Sequence, residues 1–108
     1  MESLTRIHSM LAKLGKDCDF NGVIIKGLWG FDFAKMEQPA GIIQEAKSQE
    51  FIVRFASDDV ISNSIQDGST FSVSDSIVSR SFEIISNPIV FDNWLGFNVV
   101  LISQEEAP

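Results

Sequence analysis

The chain carries few side chains able to do chemistry, and their neighbours limit what each can do. His8 is the one histidine, on a segment with helical spacing. An imidazole there could bind a metal or act as a base. Its sequence neighbours supply no partners at the needed spacing, so a surface or rim position is expected. Cys18, the one cysteine, lies in KDCDF between two aspartates. Acidic neighbours raise a thiol pKa, so a structural role is expected rather than a nucleophile. Asp17 with Asp19, and Asp58 with Asp59, offer paired carboxylates. Neither pair has the oxygen-rich spacing of a calcium loop, and both read as solvated turn residues. Gly27 and Gly30 lead into extended chain rather than a helix, so they make no phosphate loop. There is no nucleophile–base–acid triad. The expectation is a protein with no catalytic site, no metal and no cofactor, and hence not an enzyme.

Composition narrows the class. At 108 residues there is room for one domain with a modest core. The apolar fraction of 44% and charged fraction of 21% fit a globular chain, not a disordered one. No apolar run approaches the roughly 20 residues of a membrane helix, and MESLTRIHSM lacks the basic-then-apolar pattern of a secretory signal. A single cysteine excludes an internal disulfide framework and fits a reducing compartment. The formal net charge of −7 disfavours broad binding to nucleic acid.

The elements that must position these residues follow from periodicity. Leu4, Ile7, Leu11 and Leu14, joined by Met10, lie at three- and four-residue spacing and predict one amphipathic helix. Ser3 or Thr5 could cap its start, Gly15 its end, and Lys13 and Lys16 suit its dipole. So short a helix must pack on the domain, pack on a partner, or fray. After Gly15 the period changes. Residues 20–31 predict one long strand, with Gly27 and Gly30 as a bulge or bend that re-aims Trp29. Residues 32–40 predict a loop, 41–46 a strand, 47–50 a turn and 51–56 an alternating strand. Residues 57–68 predict a connection with one helical turn, closed by Asp67-Gly68. Strands follow at 69–73, 81–86 and 95–103, with Asn87-Pro88 as a breaker and a frayed acidic tail at 104–108.

Every link is short, which calls for antiparallel pairing. The expected fold is mainly β: a small antiparallel β-barrel or sandwich of about six strands with one N-terminal helix. The single domain divides into the helix (1–15), a β-domain (19–103) with a mobile loop at 32–40, and the tail (104–108). Trp29 and Phe97 read as core. Phe33, Met36 and Ile42 lie in or beside an irregular segment, and exposed apolar residues there point to a partner.

The order of these features resembles the head–tail joining (connector) proteins of lambda-like phages and of many prophages. The resemblance rests on KGLWGFD (26–32), GIIQEA (41–46), KSQE (47–50), FIVRFASDDV (51–60), SIQDGSTFSV (64–73), SFEIIS (81–86) and NWLGFNVVLIS (93–103), spanning residues 22 to 103. Two features depart from the family pattern: Ser69 where an aspartate is usual, and a longer segment around SDSIVSR (74–80). The resemblance implies a prophage-encoded structural subunit, present in the host cytoplasm during assembly and then at the virion neck. There it would form a ring with copies of itself between tail-end and head-completion proteins. It implies no membrane and no sequence-specific nucleic acid. On this reading Phe31, Phe33, Met36 and Ile42, with the helix residues Leu4, Ile7 and Leu11, contact neighbouring subunits or partners. The acidic balance would suit a lumen that does not hold passing DNA. The rival readings are a tail-terminator or tail-tube subunit, and a small-molecule-binding β-barrel whose mixed aromatic and β-branched strands line a cavity.

Overall fold

A computed structural model describes residues 3–30, 50–75 and 77–106. The chain runs α1 (Leu4–Leu14), β1 (Lys16–Phe20), β2 (Val23–Trp29), β3 (Glu50–Ala56), α2 (Ser57–Ser62), β4 (Thr70–Ser74), β5 (Val78–Ile84), β6 (Ile89–Phe91) and β7 (Trp94–Glu106). All strand pairs are antiparallel, in the order β3-β2-β1-β4-β5-β7-β6. β3 also pairs with β7 from Glu50↔Val100 to Ala56↔Trp94, which closes six strands into a barrel and leaves β6 as an extra strand. The mainly β barrel with one N-terminal helix is therefore as the pattern predicts.

Several elements differ from the sequence expectation. The long strand at 20–31 is instead the second half of a hairpin that begins at Lys16. Asn21 and Gly22 have φ of 57° and 100° and join β1 to β2. Two central residues with positive φ make the tight turn whose twist matches paired strands, and Asn-Gly is the dipeptide that adopts it most readily. Asp19 Oδ1 accepts the Gly22 N–H at 2.7 Å and braces the turn.

Gly27 marks no bulge. β2 passes through it in regular register with Lys16. The position is glycine because of what faces it: a Cβ would lie 2.8 Å from Val53 Cγ2, 2.9 Å from Phe55 Cε1 and 3.2 Å from Cys18 Sγ. The real irregularity is in β7. Ser81 pairs with Ser103 but Phe82 with Leu101, so Ile102 is the extra residue of a bulge. Beyond it the inward face changes parity.

The tail does not fray where expected, since Gln104, Glu105 and Glu106 pair with Arg80, Ser79 and Val78. Asn87-Pro88 breaks a strand as predicted, but the chain resumes as β6, which hairpins onto β7 through Asp92 at φ 55°. The expectations for 31–49, including the loop, the strand at 41–46 and residues Phe31, Phe33, Met36 and Ile42, lie outside the described residues.

Two apolar clusters hold the fold. Inside the barrel, Cys18, Ile25, Val53, Phe55, Phe71, Val73, Phe82, Ile84, Phe97, Val99 and Leu101 are buried, joined by Val60 and Ile65 from the α2 connection. The second cluster lies on the outer wall: Ile7 and Leu11 of α1 pack on Ala56 and Trp94, flanked by Leu4, Met10 and Leu28. Strand alternation explains the division. In β3, Val53 and Phe55 face the interior while Ile52, Arg54 and Ala56 face out.

Helix α1 starts at Ser3, whose Oγ accepts the Arg6 N–H at 3.2 Å, and stops at Gly15, whose N–H donates to Leu11 O. Full burial of Ile7 and Leu11 contributes roughly 1.5–3 kcal/mol each, which holds a helix too short to persist alone. Of the predicted stripe, only Leu14 points away, at 66% exposure.

Candidate functional site

Each predicted contact residue has a definite place or none. Ile7 and Leu11 are 0% and 1% exposed, and Leu4 is partly buried beside them. The stripe expected to meet a partner is thus used within the chain, because Trp94 and Ala56 present an apolar outer wall at the height of the helix.

Beside the helix, that wall is exposed among the described residues. The outward residues of β3 next to Ala56 are Arg54 and Ile52, and across from them on β7 stand Gly96 and Asn98. On the other side of β7 lies β6, whose three residues Ile89, Val90 and Phe91 are 54%, 71% and 62% exposed. With no side chain at Gly96, β3 and β6 flank a cleft of about 210 Å³, lined by Ile52, Arg54, Ile89, Phe91, Trp94 and Gly96. A second cleft, about 260 Å³ and lined by Leu28, Trp29, Gly30, Ile52 and Arg54, shares Ile52 and Arg54 with it. The result is a continuous apolar strip holding one cation. It ends at β6, which among the described residues pairs only with β7, so its outer edge is open. The strip was missed in the sequence because Asn87-Pro88 was read as the end of strand structure. The apolar run Ile89-Val90-Phe91 between Pro88 and the turn at Asp92-Asn93 was the available signal.

The interior bears on the ligand-binding alternative. The space a small molecule would take holds aromatic rings: Phe71 lies 5.5 Å from Phe82 and 4.8 Å from Phe20, Trp29 4.8 Å from Phe82, and Phe55 6.1 Å from Phe97. Trp29 and Phe97 pack into this cluster as expected. Cys18 is fully buried, its Sγ donating to Lys16 O at 3.6 Å. Burial pushes the thiol up to about 12, and a hydrogen bond from the Trp29 side chain opposes that only in part. Burial and the raised pKa both disfavour the thiolate that a nucleophile or metal ligand needs.

His8 has partners that its sequence neighbours did not reveal. Its Nε2 is 3.0 Å from both Oδ1 and Oδ2 of Asp58, and its Nδ1 is 4.0 Å from Asp59 Oδ2. The contact pins α1 to α2 across the wall. Partial burial and the neighbouring Asp58 raise the Asp59 pKa, while His8 draws it back. These three residues place ligand atoms within 4.8 Å of one another and, among the described residues, form a group of a size that could hold a cation. Their positions have a simpler cause: both aspartates occupy the first turn of α2, where carboxylates suit the helix dipole, and His8 pairs with them.

No family model, curated protein or solved structure matches this chain. Among the described residues, no helix is long and apolar enough to cross a membrane.

Proposed function

We propose that the chain is a structural virion subunit that joins a phage head to its tail, assembling with copies of itself into a ring at the neck. The observation that carries this reading is the strip of Ile52, Ile89 and Phe91, uncovered among the described residues, beside the open edge of β6. An exposed apolar strip on a small domain is costly in water and is characteristic of surfaces that become buried on association. An open strand edge accepts another strand through backbone hydrogen bonds, with the flanking apolar side chains adding burial. The occupant on this reading is the neighbouring copy. A contact between this edge and a different part of the next subunit is heterologous, and a heterologous contact that closes makes a ring. The order of motifs along residues 22–103 supports the same reading. So does the closed barrel, which presents the strip on its outer wall.

The test is fractionation of phage particles after induction of the source strain, probed with antibody to this protein. Co-sedimentation with virions at low copy, with label at the neck in electron micrographs, is the expected result. The F91S variant should fold but be absent from particles. Retention of the unaltered protein in the soluble fraction while particles form would overturn the proposal.

A further inference from the structure

The barrel is not equally knit around its circumference. β3 pairs with β7 along its whole length, from Glu50↔Val100 to Ala56↔Trp94. β5 pairs with β7 from Val78↔Glu106 to Ile84↔Val99, and β4 with β5 from Thr70↔Glu83 to Ser74↔Ser79. The β1–β2 hairpin is just as fully paired within itself, from Lys16↔Gly27 to Phe20↔Val23. Where that hairpin meets the rest, the ladders are brief. β2 is in register with β3 at Leu28↔Arg54 and Trp29↔Val53, and β1 with β4 at Asp19↔Ser72. Both ladders stop within the described residues. Gly27 and Phe55 lie beyond one end of the first, Gly30 and Ile52 beyond the other, and Cys18 and Val73 beside the second, and none of these pairs across its seam.

The two seams set apart one contiguous piece of chain, residues 4–29, made of α1, β1 and β2. Side-chain burial is what holds it in place. Cys18 and Ile25 enter the barrel core with Phe20 and Trp29 packed against it, while Ile7 and Leu11 close on Ala56 and Trp94. Phe20 meets Phe55 at 5.7 Å and Phe71 at 4.8 Å, and Trp29 meets Phe82 at 4.8 Å. These contacts need a body built of β3 to β7, and the body of any copy supplies it. The covalent link between the piece and its own body is the stretch 30–49. An element that is paired within itself, seated through side chains and tied by one link can pass between copies at low cost, because each contact of the closed unit is remade in the exchanged one.

We propose that copies of this chain exchange residues 4–29, so that α1, β1 and β2 of one copy complete the barrel of the next. The partner is a second copy, because the surface that receives the piece is this chain's own core. The inference rests on the ring reading for its direction alone. Passed one way from copy to copy, the exchange is heterologous and closes into a ring, whereas two copies that trade make a dimer. Either way it adds to the outer strip a junction as apolar as a protein interior, the character of obligate interfaces.

The test mixes two single variants, Asp19→Cys and Ser72→Cys, unfolds them together, refolds them at high concentration and then oxidises them. Opposed residues on antiparallel strands have Cα atoms about 4.5–5.5 Å apart, within the reach of a disulfide. Oxidation after refolding spares Cys18, which is buried with its thiol pushed up to about 12. A link from position 19 of one chain to position 72 of another records an exchanged seam, and links joining like positions record collision. The expected result is 19-to-72 links in excess of the share that random collision gives. The unaltered chain, refolded in the same way, should give an oligomer on size exclusion that survives dilution and returns to monomer after unfolding and dilute refolding. Like-position links in their random share, or an unaltered chain that stays monomeric or falls apart on simple dilution, would overturn the proposal. Neither result bears on incorporation into particles, so the ring reading stands or falls separately.

Discussion

The outer wall of the barrel carries two neighbouring apolar areas that differ in what lies on them. Trp94, Ala56 and Leu28 are covered by Ile7 and Leu11 of α1, and Trp94 is 3% exposed. Ile52, Ile89 and Phe91, on the same side of the sheet, are exposed, and nothing among the described residues covers them. Chemically the two areas are alike, and both alternate with inward core residues along β3 and β7. Apolar character on a strand face therefore says that something covers it, not whether the cover comes from the same chain. Here the reach of one short helix decides: its two buried side chains meet Ala56 and Trp94, and the wall beyond stays exposed among the described residues.

Substitutions can separate the two areas. Trp94→Ala, under the helix, should cost about 3–5 kcal/mol by denaturant unfolding, the usual range for a large buried aromatic. A cost below about 1 kcal/mol, the size of a surface change, would mean that α1 does not seal this part of the wall. Next in size is a pair of glycines that probes the inside of the wall against the outside. Gly27→Ala forces a Cβ against Val53 and Phe55 and should cost about 1–3 kcal/mol by overpacking. Gly96→Ala places its Cβ 3.7 Å from Arg54 Cγ and 3.8 Å from Ile89 O, ordinary contact, and should change stability by no more than about 0.5 kcal/mol. Equal costs at the two glycines would remove the contrast between packed interior and open cleft. His8→Ala releases the pin between α1 and α2. It should lose less than about 1 kcal/mol, as for a part-exposed side-chain contact of this kind. Smallest for stability is Phe91→Ser on the bare area, within about 0.5 kcal/mol; its effect should be read in particle incorporation. A large loss of stability there would make β6 a structural strand and not a docking edge.

Much of the fold was legible in the sequence, for identifiable reasons. The α1 stripe, the alternation at 51–56 and the β-branched run at 95–103 are periodic, and periodicity survives whatever packs on it. The hairpin at Asn21-Gly22 was also written in the sequence but was passed over, because the apolar run after it dominated and Lys16–Phe20 is mostly polar. Gly27 was misassigned for a deeper reason: its role depends on Val53 and Phe55, which reach it only once β3 closes on β2. The same holds for His8, whose carboxylates arrive from α2. Of the contact residues inferred from the resemblance, Leu4, Ile7 and Leu11 turned inward because a helix stripe does not declare its partner.

The long seventh strand also bears on how the protein is made. β7 pairs with β3, β5 and β6 and supplies both final seams of the barrel. Glu50 waits for Val100, and Val53 for Phe97, so the β1–β2 and β4–β5 hairpins can form early but the barrel cannot close until β7 has been made. During that interval β3, with Phe51, Val53 and Phe55, emerges without its β7 neighbour, and an unpaired strand edge of this kind invites association with other nascent chains. Slower synthesis at low temperature, or a chaperone that shields nascent strands, should therefore raise the soluble yield.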